Sequence, residues 1–185
     1  MDLVAAHAAA LDSTRRIVAG IDQAQLSLPT PCEHFDVEAL LGHLVVGNRR
    51  FVAVAGGAPA TSVPLEPEPT DDWSAAYDSS ATAVGEAWRD PAALERVAEL
   101  PIGSVPGVVA LGMHVVESLV HGWDLAKATG QSTDIDPVLC AIAWQNVQGV
   151  NDDLRGAGRP FGSAIGVPDD APATDRLVAW LGRQP

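Results

Sequence analysis

The chain has 185 residues, of which 47% are hydrophobic, and a formal net charge of −13 from 11 basic and 24 acidic residues. This length predicts a single domain over residues 1–185 with a full-sized core. The acidic balance argues against binding to nucleic acid or to an anionic membrane surface. No apolar run is long enough to cross a bilayer, and the N-terminus lacks the basic start of a secretory signal. We therefore expect a cytoplasmic protein, monomeric or homodimeric.

Helical periodicity dominates the chain, and no convincing period-two strand is found. Residues 92–103 are ambiguous, with a short helix and then a loop or strand expected. This pattern favours an all-α fold, most simply a bundle of four long helices with short additional helices. In chain order, the predicted helices cover residues 3 to about 22, 37–55, 72–89, 105–129 and 137–154, with a short closing helix in "TDRLVAWLG".

The segment "HVVESLVHGWDLAKATG" (114–130) carries titratable groups on one face of the fourth long helix. His114 lies one turn before Glu117, and Glu117 and His121 form an i, i+4 pair whose side chains lie side by side. Such a pair can offer a carboxylate oxygen and an imidazole nitrogen to one ion. His43, on the flank of the apolar stripe of the second helix, is the best candidate for a third ligand. Gly47, one turn further on, leaves room for an ion or a substrate.

Each of these residues also has a simpler interpretation. A Glu-xxx-His pair is more often an exposed polar pair or an internal hydrogen bond. His114 could be a fourth ligand or a proton shuttle; in the simpler interpretations it either lines a pocket or packs as an ordinary histidine. Asp124 either orients the His121 imidazole or caps a neighbouring backbone group.

The two cysteines are predicted to be free thiols. Cys32 and Cys140 are the complete set, and nothing in the sequence suggests export to an oxidising compartment. Cys32 is either a reactive thiol or, more in keeping with its proline-flanked loop, a small buried hydrophobic residue.

Two blocks of sequence resemble a known family. "TPCEHFDVEALLGHLV" (30–45), followed by "ESLVHGWDLAKATG" (117–130), is similar to the metal-binding domain of mycothiol-dependent maleylpyruvate isomerases, within the DinB/YfiT-like superfamily of four-helix metalloproteins. The ending "PATDRLVAWLGRQP" resembles an uncharacterised actinobacterial subfamily. The family loop usually has Trp where this chain has Phe35, a change that should keep the packing role.

The resemblance implies a DinB-like bundle and a divalent ion, usually zinc, held by His43, Glu117 and His121. His114 and Asp124 would then belong to the pocket or support the ligands, and no catalytic residue is assigned. The isomerases carry a second, C-terminal domain for which this chain leaves no room, so maleylpyruvate isomerisation itself is not expected.

The function expected from these observations is that of a zinc-dependent S-transferase or isomerase. It would use mycothiol, a small-molecule thiol, to act on a small electrophilic substrate. Two alternatives stay open: a metal-dependent hydrolase that activates water, and a non-catalytic bundle that merely binds a metal. Metal content separates the last from the two enzymes, and thiol dependence separates the enzymes from each other.

Overall fold

The computed structural model describes residues 1–33, 35–150, 152–156 and 161–185. His34, in the predicted proline-rich loop, lies outside the described residues. The elements, in chain order, are α1 (Leu3–Ala19), α2 (Val37–Ala55), α3 (Trp73–Ala87), α4 (Pro91–Glu95), β1 (Val97–Leu100), β2 (Gly103–Pro106), α5 (Gly107–Thr129), α6 (Pro137–Val147) and α7 (Ala173–Trp180).

The predicted all-α fold is confirmed. Five helices are preceded by an aspartate whose carboxylate accepts a hydrogen bond from a backbone N–H of the first turn; these are Asp2, Asp36, Asp72, Asp90 and Asp136. Such N-caps satisfy donors that the helix itself leaves free. The second helix has the predicted bounds. In the described part of the chain, no helix combines the length and apolarity needed to cross a membrane.

Two predicted helices are shorter than expected. α1 stops at Ala19, because the N–H of Gly20 turns back to the carbonyl oxygens of the last turn. α6 stops at Val147 and does not reach Leu154. Gly149, which has low helix propensity, lies two residues further on, and the N–H of Val150 bonds to the carbonyl oxygen of Val147 in a tighter turn.

The ambiguous stretch after α3 folds as α4 followed by a small antiparallel hairpin. β1 pairs with β2 in the register Val97 with Pro106 and Leu100 with Gly103. The hairpin was not predicted from periodicity because each strand has only four residues. So short a segment contains too few alternations between buried and exposed side chains to show a period of two.

Helix α5 lies at the centre of the molecule. It packs along α1 and also contacts α2 and α6, while α2 packs on α3. Most of α5 is buried, including Leu111, Val115 and Leu125. One apolar cluster fills the space among α1, α2, α3 and α5, and a second joins α1 and α5 to α6 and α7. Polar groups on α5 are therefore held rigidly and face neighbouring helices.

Gly122 allows α1 to approach α5 closely. A Cβ at this position would lie 2.6 Å from the Oγ1 atom of Thr14. The buried Thr14 hydroxyl donates to the carbonyl oxygen of Ser118 at 2.8 Å, so it has little freedom to move aside. The absence of a Cβ at Gly122 thus permits the close contact that sets the axial position of α5, and of its polar face, relative to α1.

We expect Gly122→Ala to lower the free energy of unfolding by about 1–3 kcal/mol, because it overpacks this contact. Gly47→Ala on α2 is the matched control: its Cβ would meet no atom within 4 Å, and the helix should gain up to about 1 kcal/mol. Urea unfolding of both variants tests this. Equal effects would contradict the close approach of the helices.

Candidate metal centre

Three side chains from two helices converge on one point. His43 comes from α2, and Glu117 and His121 come from successive turns of α5. Oε1 of Glu117 lies 2.6 Å from Nε2 of His43 and 3.4 Å from Nε2 of His121. The rings of His43 and His121 meet edge to face, with centroids 5.1 Å apart. One carboxylate oxygen thus lies between two imidazole nitrogens.

The geometry of this group fits a divalent ion. One ligand atom from each of the three residues lies within 4.8 Å of the other two. Zinc bonds to nitrogen and oxygen of roughly 2.0–2.2 Å place tetrahedral ligand atoms about 3.3 Å apart, close to the His121–Glu117 distance. The His43–Glu117 distance is shorter because a hydrogen bond joins the two side chains. Three protein ligands would leave further coordination positions open, as catalytic sites require.

A second layer of contacts holds His121. Its Nδ1 atom lies 3.0 Å from Oδ2 of Asp124, and Asp124 is fully buried. Of the two interpretations open for Asp124, the structure shows the side-chain contact to His121. Arg183, from the chain end after α7, donates to the same carboxylate.

The charges of the group perturb each other. Burial acts to raise the pKa of Glu117, but the charge of His121 and hydrogen bonds from His121 and His43 hold it well below its ordinary value. Burial lowers the pKa of His121, and this is outweighed by the Glu117 carboxylate and by hydrogen bonds to Asp124, Cys32 and Glu117, so the pKa lies well above the ordinary 6.5. Any metal ion must therefore displace a proton from this cluster.

The three residues form part of the wall of an open cavity of about 380 Å³. Side chains of His43 and Glu117 are each 36% exposed, so both are reachable from solvent. Phe35 packs against the His43 ring, with centroids 5.3 Å apart. The described residues that line the cavity are Cys32, Glu33, Phe35, His43, Val116, Glu117, Val120, His121, Phe161, Leu181 and Arg183.

Comparison with known proteins identifies the family. Residues 7–126 match the family described as "Mycothiol maleylpyruvate isomerase N-terminal domain". The chain belongs to this family. Two uncharacterised proteins of Mycobacterium tuberculosis, from strains CDC 1551 and H37Rv, are each 37% identical over 185 residues, covering 99% of this chain and 98% of theirs.

Solved structures of the mycothiol-dependent maleylpyruvate isomerase share the fold. The isomerase superposes with a TM-score of 0.62 at 17% identity, over 77% of this chain and 68% of its own. A variant of that enzyme with a histidine-to-alanine substitution gives a TM-score of 0.61 at 16% identity, over the same shares of both chains. At this identity the likeness establishes the DinB-like helical architecture of the family for this chain.

His114 lies apart from the cavity wall, although it shares a helical face with Glu117. Its Nδ1 atom is 2.8 Å from Nε2 of His7 on α1, and the Phe51 ring stacks on it at 4.1 Å. Both histidines are 1% exposed. Of the two simpler interpretations of His114, the structure shows packing in the interior, and His114 is not among the described residues that line the cavity. The pairing of His114 with His7 could not be predicted from the sequence because the two positions are 107 residues apart.

Cys32 differs from the small buried hydrophobic residue favoured by the sequence. It is half-buried and lines the cavity, and its sulfur lies within 4.8 Å of ligand atoms of His121 and Asp124. Cys140 is 2% exposed, and burial raises the pKa of its thiol. Both thiols are free. The two thiols therefore differ in their access to solvent.

We expect iodoacetamide to label Cys32 before Cys140 in the native protein, because the exposed thiolate is the reactive species. Peptide mass spectrometry over a time course measures the two rates. The Cys32→Ser variant is the control and should leave only slow labelling. Faster modification of Cys140 than of Cys32 would contradict the assignment of Cys32 to the open cavity.

Arg183 was not predicted from the sequence, although the structure brings it to the site. Phe161 and Leu181 reach the same cavity, and all three lie beyond residues 7–126, the part that matches the family. No spacing rule connects the chain end to α5. Two arginines of α2 are engaged elsewhere: Arg49 contacts Glu68, and Arg50 donates to the carbonyl oxygen of Val63.

Proposed function

We propose that this protein binds one divalent ion, with zinc expected, through His43, Glu117 and His121, and uses it with a low-molecular-weight thiol. The thiol is mycothiol by analogy with the family name, and the reaction is S-transfer to, or isomerisation of, a small electrophilic molecule. The observation that carries the proposal is the convergence of two imidazoles and one carboxylate at the wall of an open cavity. We also propose that the protein forms a single domain and is cytoplasmic, a location in keeping with its two free thiols.

The ligand set suits such chemistry. When bound, a divalent ion lowers the pKa of a thiol or water in its open position, so that the anion is available near neutral pH. His43 and His121 would supply neutral nitrogens, and Glu117 would supply negative charge. A net charge of −1 on the protein ligands leaves the centre cationic, which favours an anionic thiolate beside it.

The remaining wall residues would orient the reactants. Phe35, Val116 and Leu181 give the cavity an apolar side that limits water around the reacting groups. Arg183 adds a fixed positive charge to the wall, balanced by Asp124 behind it. A small molecule with an apolar body and an electrophilic carbon fits this mixture of surfaces better than a highly charged substrate.

Cobalt substitution tests the thiol half of the proposal. Co²⁺ in the tag-free protein should give visible absorption bands, and mycothiol should add a sulfur-to-metal charge-transfer band and shift these bands. Glu117→Gln, which removes charge but keeps shape, should weaken the cobalt bands more than it lowers the melting temperature. Cobalt spectra that stay unchanged at millimolar thiol would contradict thiol use. The hydrolase alternative predicts that result together with thiol-independent ester or amide cleavage.

A further inference from the structure

Arg183 reaches the interior because the chain turns back after α7. Gly182 has φ of +85°, a conformation that residues with a Cβ rarely adopt. A Cβ there would lie 2.6 Å from the Cα atom of Gly162, so two backbone segments touch at this point. The turn directs Arg183 inward, where it is 9% exposed.

The guanidinium group of Arg183 is anchored as a fork. Its Nε lies 3.3 Å from Oδ1 and its Nη2 lies 3.1 Å from Oδ2 of Asp124, while Nη1 donates to the carbonyl oxygen of Leu181 at 3.0 Å. Two-point contact fixes the plane of the carboxylate as well as its position. A lysine ammonium cannot reproduce that contact.

Asp124 transmits this constraint to His121. The Oδ2 atom that accepts from Arg183 is also 3.0 Å from Nδ1 of His121. An imidazole that donates its Nδ1–H to a carboxylate keeps its Nε2 lone pair for a ligand, and its ring orientation is fixed. Nε2 of His121 is the atom that faces Glu117, at 3.4 Å.

We propose that Arg183 is a positioning residue of the metal centre: it holds Asp124, and Asp124 holds the His121 ring in the tautomer and orientation that bind the ion. The inference rests on the proposed function for its metal. It adds a residue from the chain end to a site otherwise built from α2 and α5. The segment after α7 would thereby raise the metal affinity of the site, in addition to contributing Leu181 to the cavity wall.

If Arg183 had a purely structural role, we would expect a different experimental result. Asp124 is 0% exposed, so loss of Arg183 leaves a buried carboxylate without its cation and must destabilise the fold. Removing both charges in Arg183→Met/Asp124→Asn should restore much of that stability. If Arg183 acts only on stability, Arg183→Met should bind zinc like the parent under conditions where the variant is folded. If Arg183 positions His121 through Asp124, the zinc affinity of folded Arg183→Met is low, and the double variant, which also lacks the Asp124 carboxylate, does not regain it.

The experiment compares the parent with Arg183→Met, Arg183→Lys and the double variant. We expect zinc affinity, measured by chelator competition, to fall about tenfold or more in Arg183→Met, in line with losses seen for supporting residues of metal sites. Arg183→Lys should recover only part of it, and the double variant should remain weak. The cobalt spectrum should change in the same variants. Parent-like zinc affinity in Arg183→Met, or recovery of affinity in the double variant, overturns the proposal.

A metal-free readout separates this inference from the proposed function. In the parent, the His121 Nδ1–H should give a slowly exchanging proton signal in nitrogen-labelled NMR spectra, and folded Arg183→Met should lose it. A parent that binds no zinc overturns the proposed function, and the NMR comparison then decides the Arg183–Asp124–His121 contact alone. Retention of the signal in Arg183→Met overturns the positioning role.

Discussion

His121→Ala is expected to lose its divalent ion, whereas His114→Asn keeps it. The two histidines are seven residues apart, on the same face of α5, so they form a matched pair. His121 is one of the three converging side chains, and His114 instead bonds to His7 in the interior. Loss of one of three protein ligands should weaken zinc binding by at least about 100-fold, since each ligand contributes several kcal/mol to the total.

Stability and metal content should separate in these variants. In the presence of EDTA, His121→Ala should cost about 2 kcal/mol, because it leaves a small cavity and removes one partner of the buried Asp124, which keeps Arg183. His114→Asn should also be destabilised but still bind zinc, measured by mass spectrometry of the dialysed protein. Stoichiometric zinc in His121→Ala together with loss in His114→Asn would show that the ligands are assigned wrongly.

The second large effect is loss of stability in mild acid. Burial lowers the pKa of His7 from the ordinary 6.5 to about 4. Burial, and then the charge of neighbouring His7, lowers the pKa of His114 well below 6.5, against a smaller opposite effect of Glu117. The two rings share a hydrogen bond that needs at least one of them unprotonated.

The direction in which stability changes with pH follows from proton binding in the folded and unfolded states. The unfolded state takes up protons on both histidines below pH 6.5, while the folded state resists until about pH 4 for His7. Stability from the neutral pair is therefore complete above pH 6.5 and is lost as the pH falls from there through about 4. His7 alone accounts for about 2 kcal/mol between roughly pH 7.5 and pH 5.

Urea unfolding in EDTA across this pH range measures the effect. The control is the double variant His7→Gln/His114→Asn, in which amides replace the two contacting ring nitrogens and cannot titrate. All other titratable side chains are present in both proteins, so the difference between the two curves is assigned to the histidine pair. Parallel curves would contradict a buried, neutral pair.

The four-helix frame could be predicted from local patterns. Apolar residues three and four apart define α2 and α5, and an aspartate before each of several helices supplies a cap that depends only on nearby backbone. The i, i+4 spacing likewise places Glu117 beside His121 on α5. These features follow from helix geometry and need no knowledge of which helices touch.

The rest depends on long-range contacts that no spacing records. The His7–His114 bond links positions 107 apart, and Arg183 reaches Asp124 across 59 residues. The cavity itself forms where the loop of Cys32, the helix α5 and the chain end meet. His43 is intermediate: its place beside the apolar stripe of the second helix made it the best candidate for a third ligand, and the resemblance to a family then implied that role.

Metal analysis of the protein purified without a histidine tag, beside its His43→Ala variant, tests the central claim most directly. His43 is the one member of the group that comes from α2, so its removal leaves the Glu117–His121 pair on α5 intact. We expect a metal content of one divalent ion per chain in the parent and well below one in His43→Ala, with similar melting temperatures of the two proteins in EDTA. A parent that takes up no divalent ion, or a variant that keeps it in full, would contradict the claim.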